Sequence, residues 1–261
     1  MRQYGVKLQR IRQIFISHLH GDHYFGLPGL LTSMSLLGRE KELQVFAPKG
    51  IVDIIQTNFR YSKTKLNFPC AFHELEEGKQ EMIYEDERIT VSCFPLNHRI
   101  PTFGYLFREK RRPSTYLVEE GRVNDVPMDQ IPKIKAGADF VKEDGSVILN
   151  EQLTEPSAEP ESYAYCSDTG FYPNIVNSIQ GIELLYHEAT FMEDMKKRAE
   201  ETFHSTAKQA AAIAQRAQVR QLLIGHFSTR YDELEGLLNE AREVFPKTNL
   251  ALEGEVYSTG A

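Results

Sequence analysis

Tryptophan is absent from this chain of 261 residues, cysteine occurs three times, and no apolar run approaches the ~18 residues of a membrane span. Each shortage excludes something. Cys70, Cys93 and Cys166 form no C-x-x-C pair, so they read as small buried hydrophobes in a reducing compartment. With no visible signal peptide either, a soluble cytoplasmic protein without membrane attachment is expected. Surplus positive charge is missing too: the formal charge is -7, which argues against a generally basic nucleic-acid coat. A local basic path remains open, and bound divalent metals would add positive charge that the count omits. No internal repeat or low-complexity tract breaks the chain. Hydrophobic residues make up 41%, enough for a large core in one big domain or two small ones.

What is present is histidine in an unusual arrangement. Ile14-Phe-Ile-Ser-His18-Leu-His20-Gly-Asp22-His23 reads as a buried strand running straight into four metal-binding side chains. His18 and His20 are two apart and Asp22 and His23 adjacent, so no single helix face presents all four. A loop at a strand end does. Imidazole nitrogens and a carboxylate are donors that zinc prefers, and four so close together suit two ions sharing one site.

Further along, Leu27, Leu30, Leu31, Met34 and Leu37 recur at helical spacing after Gly26-Leu-Pro28, with proline in the first turn and Gly38 as the stop. Residues 1–12 read as the end of a helix. Strands are expected at 43–47, 70–75, 82–84, 88–94, 103–107, 163–168, 182–186 and 219–225. Helices are expected after Gly50 and, from a Thr206/Gln209 capping box, along the alanine-rich run to Ala217. The segment from Arg108 to about Pro160 differs: it holds five of the twelve prolines and its apolar residues show weak periodicity. It reads as an insertion at about 108–150 into one domain spanning 1–261, beginning with the basic run Arg108-Glu-Lys110-Arg111-Arg112.

His18, His98, Asp168 and His226 each sit at or just beyond the carboxyl end of an expected strand, where ligand sites gather in layered α/β folds. Donor count then suggests an assignment. One metal takes His18, His20 and His98, the other Asp22, His23 and His226, and Asp168 bridges them with its two oxygens. Such a pair of ions would activate water and neutralise the charge of a transferring phosphoryl group. Asp22 is also placed to orient or deprotonate that water. His73 fits no motif and reads as a surface residue; His187 reads as structural.

Taken together, S-H-L-H-G-D-H, L-N-H, S-D-T, H-E-A-T-F, H-S-T-A and H-F-S-T-R-Y resemble the motifs of the ribonuclease Z family, within the metallo-β-lactamase superfamily. The resemblance runs across the chain. It implies an α/β fold, a four-layer αβ/βα sandwich with an inserted flexible arm, holding two zinc ions per subunit with manganese as the alternative. The implied activity is endoribonucleolytic removal of the 3′ trailer from precursor tRNA. It also implies that Glu188 orients His204, which protonates the leaving 3′ oxygen. The insertion matches an arm that grips the tRNA elbow, one subunit of a homodimer serving the other's active site. Lys110, Arg111, Arg112, Lys133, Lys135 and, outside the arm, Arg230 are then the expected RNA contacts.

Three departures from the family pattern stand out. The arm carries Asp125-Val-Pro127-Met and Gln130-Ile-Pro132-Lys133 in place of a Gly-Pro motif. Ser167 stands where glycine is common, which bears on a tight turn. His18 comes so early that the strands and phosphate loop of the family pattern, about 40 residues by the size of strand-pair units, are expected to be missing from the front. Fold does not fix substrate, so the competing readings are a small-molecule phosphodiesterase or arylsulfatase-like hydrolase of the same fold, and a catalytically dead tRNA-binding protein. A redox di-iron role lacks a flavin partner domain.

Overall fold

In the computed structural model, which describes residues 2–259, the chain forms two compact units. The larger comprises the segments up to Glu85, Thr90–Phe107 and from Ser162 onward; the smaller comprises Asp86–Ile89 and Arg108–Glu161.

The larger unit opens with two short 3-10 turns, Arg2–Tyr4 and Leu8–Arg10, in place of the expected helix end. Strand β1 (Gln13–Phe15) pairs in parallel with β2 (Leu43–Pro48), and β2 with β3 (Cys70–Leu75). Helices Gly26–Leu36 and Ile51–Ser62 bury Leu27, Leu31, Met34, Ile51 and Ile55 in one cluster with Leu43 and Val45 of β2. The first stops at Gly38, whose φ of 77° is the left-handed turn that glycine accepts without a Cβ penalty.

β4 (Glu81–Glu85), β5 (Ile89–Pro95) and β6 (Phe103–Glu109) begin the second sheet. Between β6 and residue 161 lie β7 (Thr115–Tyr116), β8 (Phe140–Val141), β9 (Val147–Ile148) and β10 (Thr154–Glu155). The chain then returns through β11 (Ser162–Cys166), β12 (Leu184–Glu188), β13 (Gln221–Gly225) and β14 (Thr248–Leu250). The seven-stranded order is β14-β13-β12-β11-β6-β5-β4, parallel from β11 to β14. An aromatic layer joins the two sheets: the Phe15 ring lies 5.0 Å from Phe46, 5.3 Å from Tyr105 and 5.3 Å from Phe107. Helix Ala207–Arg216 covers the outer face of the large sheet, its Ala207, Ala210, Ala211 and Ala214 fully buried. Small side chains let that helix come close to the strands, and its Thr206/Gln209 capping box forms at 3.2 and 2.9 Å. With helix on sheet twice over, this is the expected metallo-β-lactamase sandwich.

One strand is shifted from its expected position. β12 runs Leu184–Glu188 rather than 182–186, so His187 and Glu188 belong to the strand itself. Both are fully buried, and two polar residues at the end of an apolar run hide a strand from hydrophobic patterning.

The smaller unit has a core of its own. Ile134, Phe140 and Leu153 are buried, with Tyr116, Val126 and Ile148 packed against them. β7 pairs with β10 and β8 with β9, both antiparallel, among short helices Val118–Val123, Ile131–Lys135 and Asn150–Leu153. Asn150 Nδ2 ties two turns together, donating to the carbonyls of Ile134 (2.6 Å) and Ala138 (2.9 Å). Strands of two residues are too short to print a periodicity, which explains the weak pattern in the sequence.

Candidate active site

Strand ends supply the site. His18 follows β1, His98 follows β5, Asp168 follows β11, Glu188 ends β12 and His226 follows β13. The expected loop is part helix: His18 and His20 lie in extended chain, while Asp22 and His23 fall in the short helix Gly21–Tyr24 that His20 precedes. That first helical turn sets the His23 ring 4.0 Å from His18 and brings Asp22 and His23 together with His226.

The structure gathers the donors in two groups. His18, His20, His98 and Asp168 present ligand atoms within 4.8 Å of one another, and so do Asp22, His23 and His226. Asp168 stands between them. Its Oδ2 lies 3.7 Å from His18 Nε2 and 4.0 Å from His98 Nε2, its Oδ1 3.5 Å from His23 Nε2 and 3.4 Å from His226 Nε2. His20 Nδ1 and His98 Nε2 approach to 3.2 Å, and Asp22 Oδ2 lies 3.2 Å from His23 Nε2.

These residues fit a metal. His18 is fully buried, yet its Nε2 has no hydrogen-bond partner. An orphaned buried nitrogen costs free energy that a cation would recover. Burial first, then the neighbouring His23, drive the His18 pKa down to about 3, which keeps its imidazole neutral as a ligand must be. Burial also lowers the pKa of His98, and its Nδ1–H donates to the Phe203 carbonyl at 2.9 Å. That bond leaves the Nε2 lone pair facing the cluster. Burial alone would raise the Asp168 pKa; a hydrogen bond from His23 and the charges of His226, His23 and His18 outweigh it and hold the carboxylate ionised. For His23, likewise, the carboxylates of Asp168 and Asp22 overcome the desolvation of its ring and raise its pKa.

Glu188 and His204 form a pair beside the cluster. His204 Nδ1–H donates to Glu188 Oε1 at 2.8 Å. Thr169 N (3.1 Å), Thr190 N (2.9 Å) and Thr190 Oγ1 (2.8 Å) complete the shell of this fully buried carboxylate. Burial works to lower the His204 pKa, but the bond to Glu188 and its charge prevail and raise it. His204 itself lies with Asp168 and His226 in a third grouping of close ligand atoms.

Backbone geometry fixes these positions. His226 takes a left-handed conformation (φ 61°), which costs a non-glycine residue about 1–2 kcal/mol. Gly225 before it is required, because a Cβ there would sit 2.5 Å from Tyr186 Oη. Ser167 needs no glycine: it is absent from the residues of positive φ, and its hydroxyl donates to Asp168 Oδ1 at 3.1 Å. Residues 96–102 are knitted to the Asp168 loop through Asn97 N to Thr169 Oγ1 (3.0 Å) and Gly170 N to the Asn97 carbonyl (2.8 Å).

Elsewhere, His73 is exposed and stacks on Phe46 at 4.5 Å, and His187 is buried with Nδ1–H donating to the Glu188 carbonyl. Arg111, Arg112 and Lys135 line one depression of the smaller unit, Arg111 paired with Glu159 (2.6 Å) and Arg112 with Glu109 (3.3 Å). Lys133 reaches Gln130 at 3.3 Å and is not part of that group; Lys110 bonds through its backbone to Arg88. Arg230 is exposed, lying over the Phe191 ring at 5.3 Å. Thr190 and the Phe203 carbonyl have no role that the sequence assigns. Thr190 carries a signal, standing two residues after Glu188 in H-E-A-T; a carbonyl carries none.

Known proteins resemble this chain in sequence and in fold. The family model described as Beta-lactamase superfamily domain matches residues 2–149. A ribonuclease Z of Bacteroides fragilis is 47% identical over 253 residues, covering 97% of this chain and 83% of that protein. The crystal structure of the short form of human tRNase Z superposes with a TM-score of 0.69 at 25% identity, covering 100% of this chain and 83% of that one. The metallo-beta-lactamase fold protein YhfI from Bacillus subtilis shares the fold, with a TM-score of 0.64 at 16% identity over 98% of this chain and 82% of its own. With nearly half of the aligned residues identical over almost its whole length, the chain belongs to the ribonuclease Z family.

Proposed function

We propose that this protein is a zinc-dependent endoribonuclease that removes the 3′ trailer from precursor tRNA, working as a cytoplasmic homodimer. Among the described residues no helix is long and apolar enough to cross a membrane. The observation that carries the reading is the conjunction of two donor groups about Asp168 with the Glu188–His204 pair, 2.8 Å long, beside them. His18, His20 and His98 would hold one ion, Asp22, His23 and His226 the other, with Asp168 between. Ions held there supply Lewis acidity, placing positive charge against the phosphoryl oxygens and acidifying water.

The chain's own groups then move the protons. Asp22, whose side chain is 71% exposed, accepts the proton of the water that attacks phosphorus. As the bond from phosphorus to the 3′ oxygen breaks, His204 gives that oxygen a proton from Nε2. Its Nδ1–H stays on Glu188, so the ring cannot turn away or change tautomer. Arg111, Arg112, Lys110, Lys133 and Lys135 of the insertion would contact phosphates of the tRNA body, and Arg230 phosphates nearer the cut.

A precursor tRNA lacking an encoded CCA, incubated with zinc-loaded protein beside Asp22→Ala and His204→Ala, tests the reading. A single cut after the discriminator base, lost in both variants, is expected. Hydrolysis of a bis-aryl phosphodiester with the precursor left intact would overturn it in favour of a small-substrate hydrolase.

A further inference from the structure

One buried hydroxyl touches both halves of the site. Thr190, 7% exposed, places Oγ1 2.8 Å from Glu188 Oε2, 2.8 Å from His226 Nδ1 and 3.3 Å from His204 Nδ1. A hydroxyl has one proton to give and lone pairs to receive with. Glu188 Oε2 can only accept, so the Thr190 proton goes there. His204 Nδ1–H is already committed to Glu188 Oε1 at the shorter distance of 2.8 Å. The remaining close approach, to His226, must therefore run the other way, with Nδ1–H donating to the Thr190 oxygen.

From this we propose that Thr190 is a positioning residue that fixes the tautomer of His226 and couples it to the Glu188–His204 pair. With the proton on Nδ1, the lone pair of His226 lies on Nε2, the atom 3.4 Å from Asp168 Oδ1. The inference rests on the reading of His226 as a metal ligand. Outer partners that set a ligating imidazole's tautomer generally contribute about 10–100-fold to metal affinity. The strained backbone of His226 gives the role a reason: a left-handed residue at a strand end (φ 61°) needs its ring anchored, and no other side-chain hydrogen bond to His226 is found among the described residues. Thr190 is itself anchored, its carbonyl accepting from Ser228 N at 3.1 Å, so the loop carrying His226 closes back on it. The chain of hydrogen bonds runs from His226 through Thr190 and Glu188 to His204. A proton moved at one end is thus felt at the other.

Zinc affinity, measured by competition with a chromophoric chelator, tests the proposal without any substrate. Wild type, Thr190→Val and Thr190→Ser are compared, with thermal unfolding recorded for each. Thr190→Val keeps the shape and loses the hydroxyl; zinc binding at the weaker of the two sites is expected to fall about 10–100-fold. Thr190→Ser keeps the hydroxyl and is expected to bind zinc within a few-fold of wild type. Wild-type affinity in Thr190→Val overturns the proposal. So does a Thr190→Ser protein as weak as the valine variant, since the methyl would then be what matters; this arm remains decisive if valine prevents folding. A wild-type protein that binds no zinc at all would instead overturn the metal reading on which the proposal rests.

Discussion

The two units of this molecule solve folding at different scales. In the larger, some two dozen fully buried apolar side chains surround parallel strands and leave room to bury His18, Asp168 and Glu188 away from water. Among the described residues of the smaller, Ile134, Phe140 and Leu153 form a buried apolar cluster, and the ion pairs Arg111–Glu159, Arg112–Glu109 and Arg122–Glu119 lie at the surface. A deep core can hold charged groups out of water at fixed distances, whereas a thin one cannot. Chemistry that needs atoms held within tenths of an ångström belongs in the first, and the contact with a large polyanion that we propose would suit the second.

The sharpest way to break that comparison is to remove the carboxylate both donor groups share. Asp168→Ala deletes the acceptor facing His18, His98, His23 and His226 at once. Metal content after dialysis should collapse, and cleavage should drop by at least about a thousandfold, because Lewis-acid stabilisation is worth several kcal/mol. Retention of both would mean that Asp168 is only a structural hub. His204→Ala should be milder. Loss of a general acid lowers kcat about 10²–10⁴-fold, with zinc content unchanged because Asp168 and the two donor groups remain. If zinc leaves with His204, its place among close ligand atoms marks it as a ligand instead.

Much of this site is legible in the sequence because metal chemistry demands particular residue types at strand ends. His18, His20, Asp22, His23, His98, Asp168 and His226 converge as their spacing suggests. What the sequence hides is of three kinds. Thr190 and the Phe203 carbonyl act through hydrogen bonds formed only when β12, β13 and the loop before His204 come together. The end of β12 is obscured because buried His187 and Glu188 break the hydrophobic run that defines a strand. The smaller unit escapes for a third reason: its elements are two to six residues long, below the length at which any period repeats.

Leu153→Ala attacks the thin core directly. Truncating a buried leucine costs about 2–5 kcal/mol, a large share of what so few apolar side chains supply. Backbone amides of residues 108–161 should exchange with solvent much faster, while those of Leu184–Glu188, zinc content and bis-aryl phosphodiester hydrolysis stay as in wild type. Protection that falls equally in both regions would show that the two units fold as one cooperative body.

The smallest effect is also the most discriminating between the units. Arg111 and its partner Glu159 are exposed, with side-chain accessibilities of 67% and 80%, so breaking their 2.6 Å pair should leave thermal stability unchanged within error. Arg111→Ala should instead act on precursor tRNA. Each neutralised phosphate adds about 0.7–0.9 to the slope of log affinity against log salt, and deleting one guanidinium should lower that slope by about this amount. Because the term is electrostatic and blind to sequence, the weakening should be the same for different precursors and should vanish at high salt. Glu159→Ala, freeing the guanidinium from its competitor, should strengthen binding slightly at low salt. An Arg111→Ala protein with the wild-type slope, beside a Glu159→Ala protein with wild-type affinity, would confine Arg111 to its ion pair and assign the phosphates to other residues.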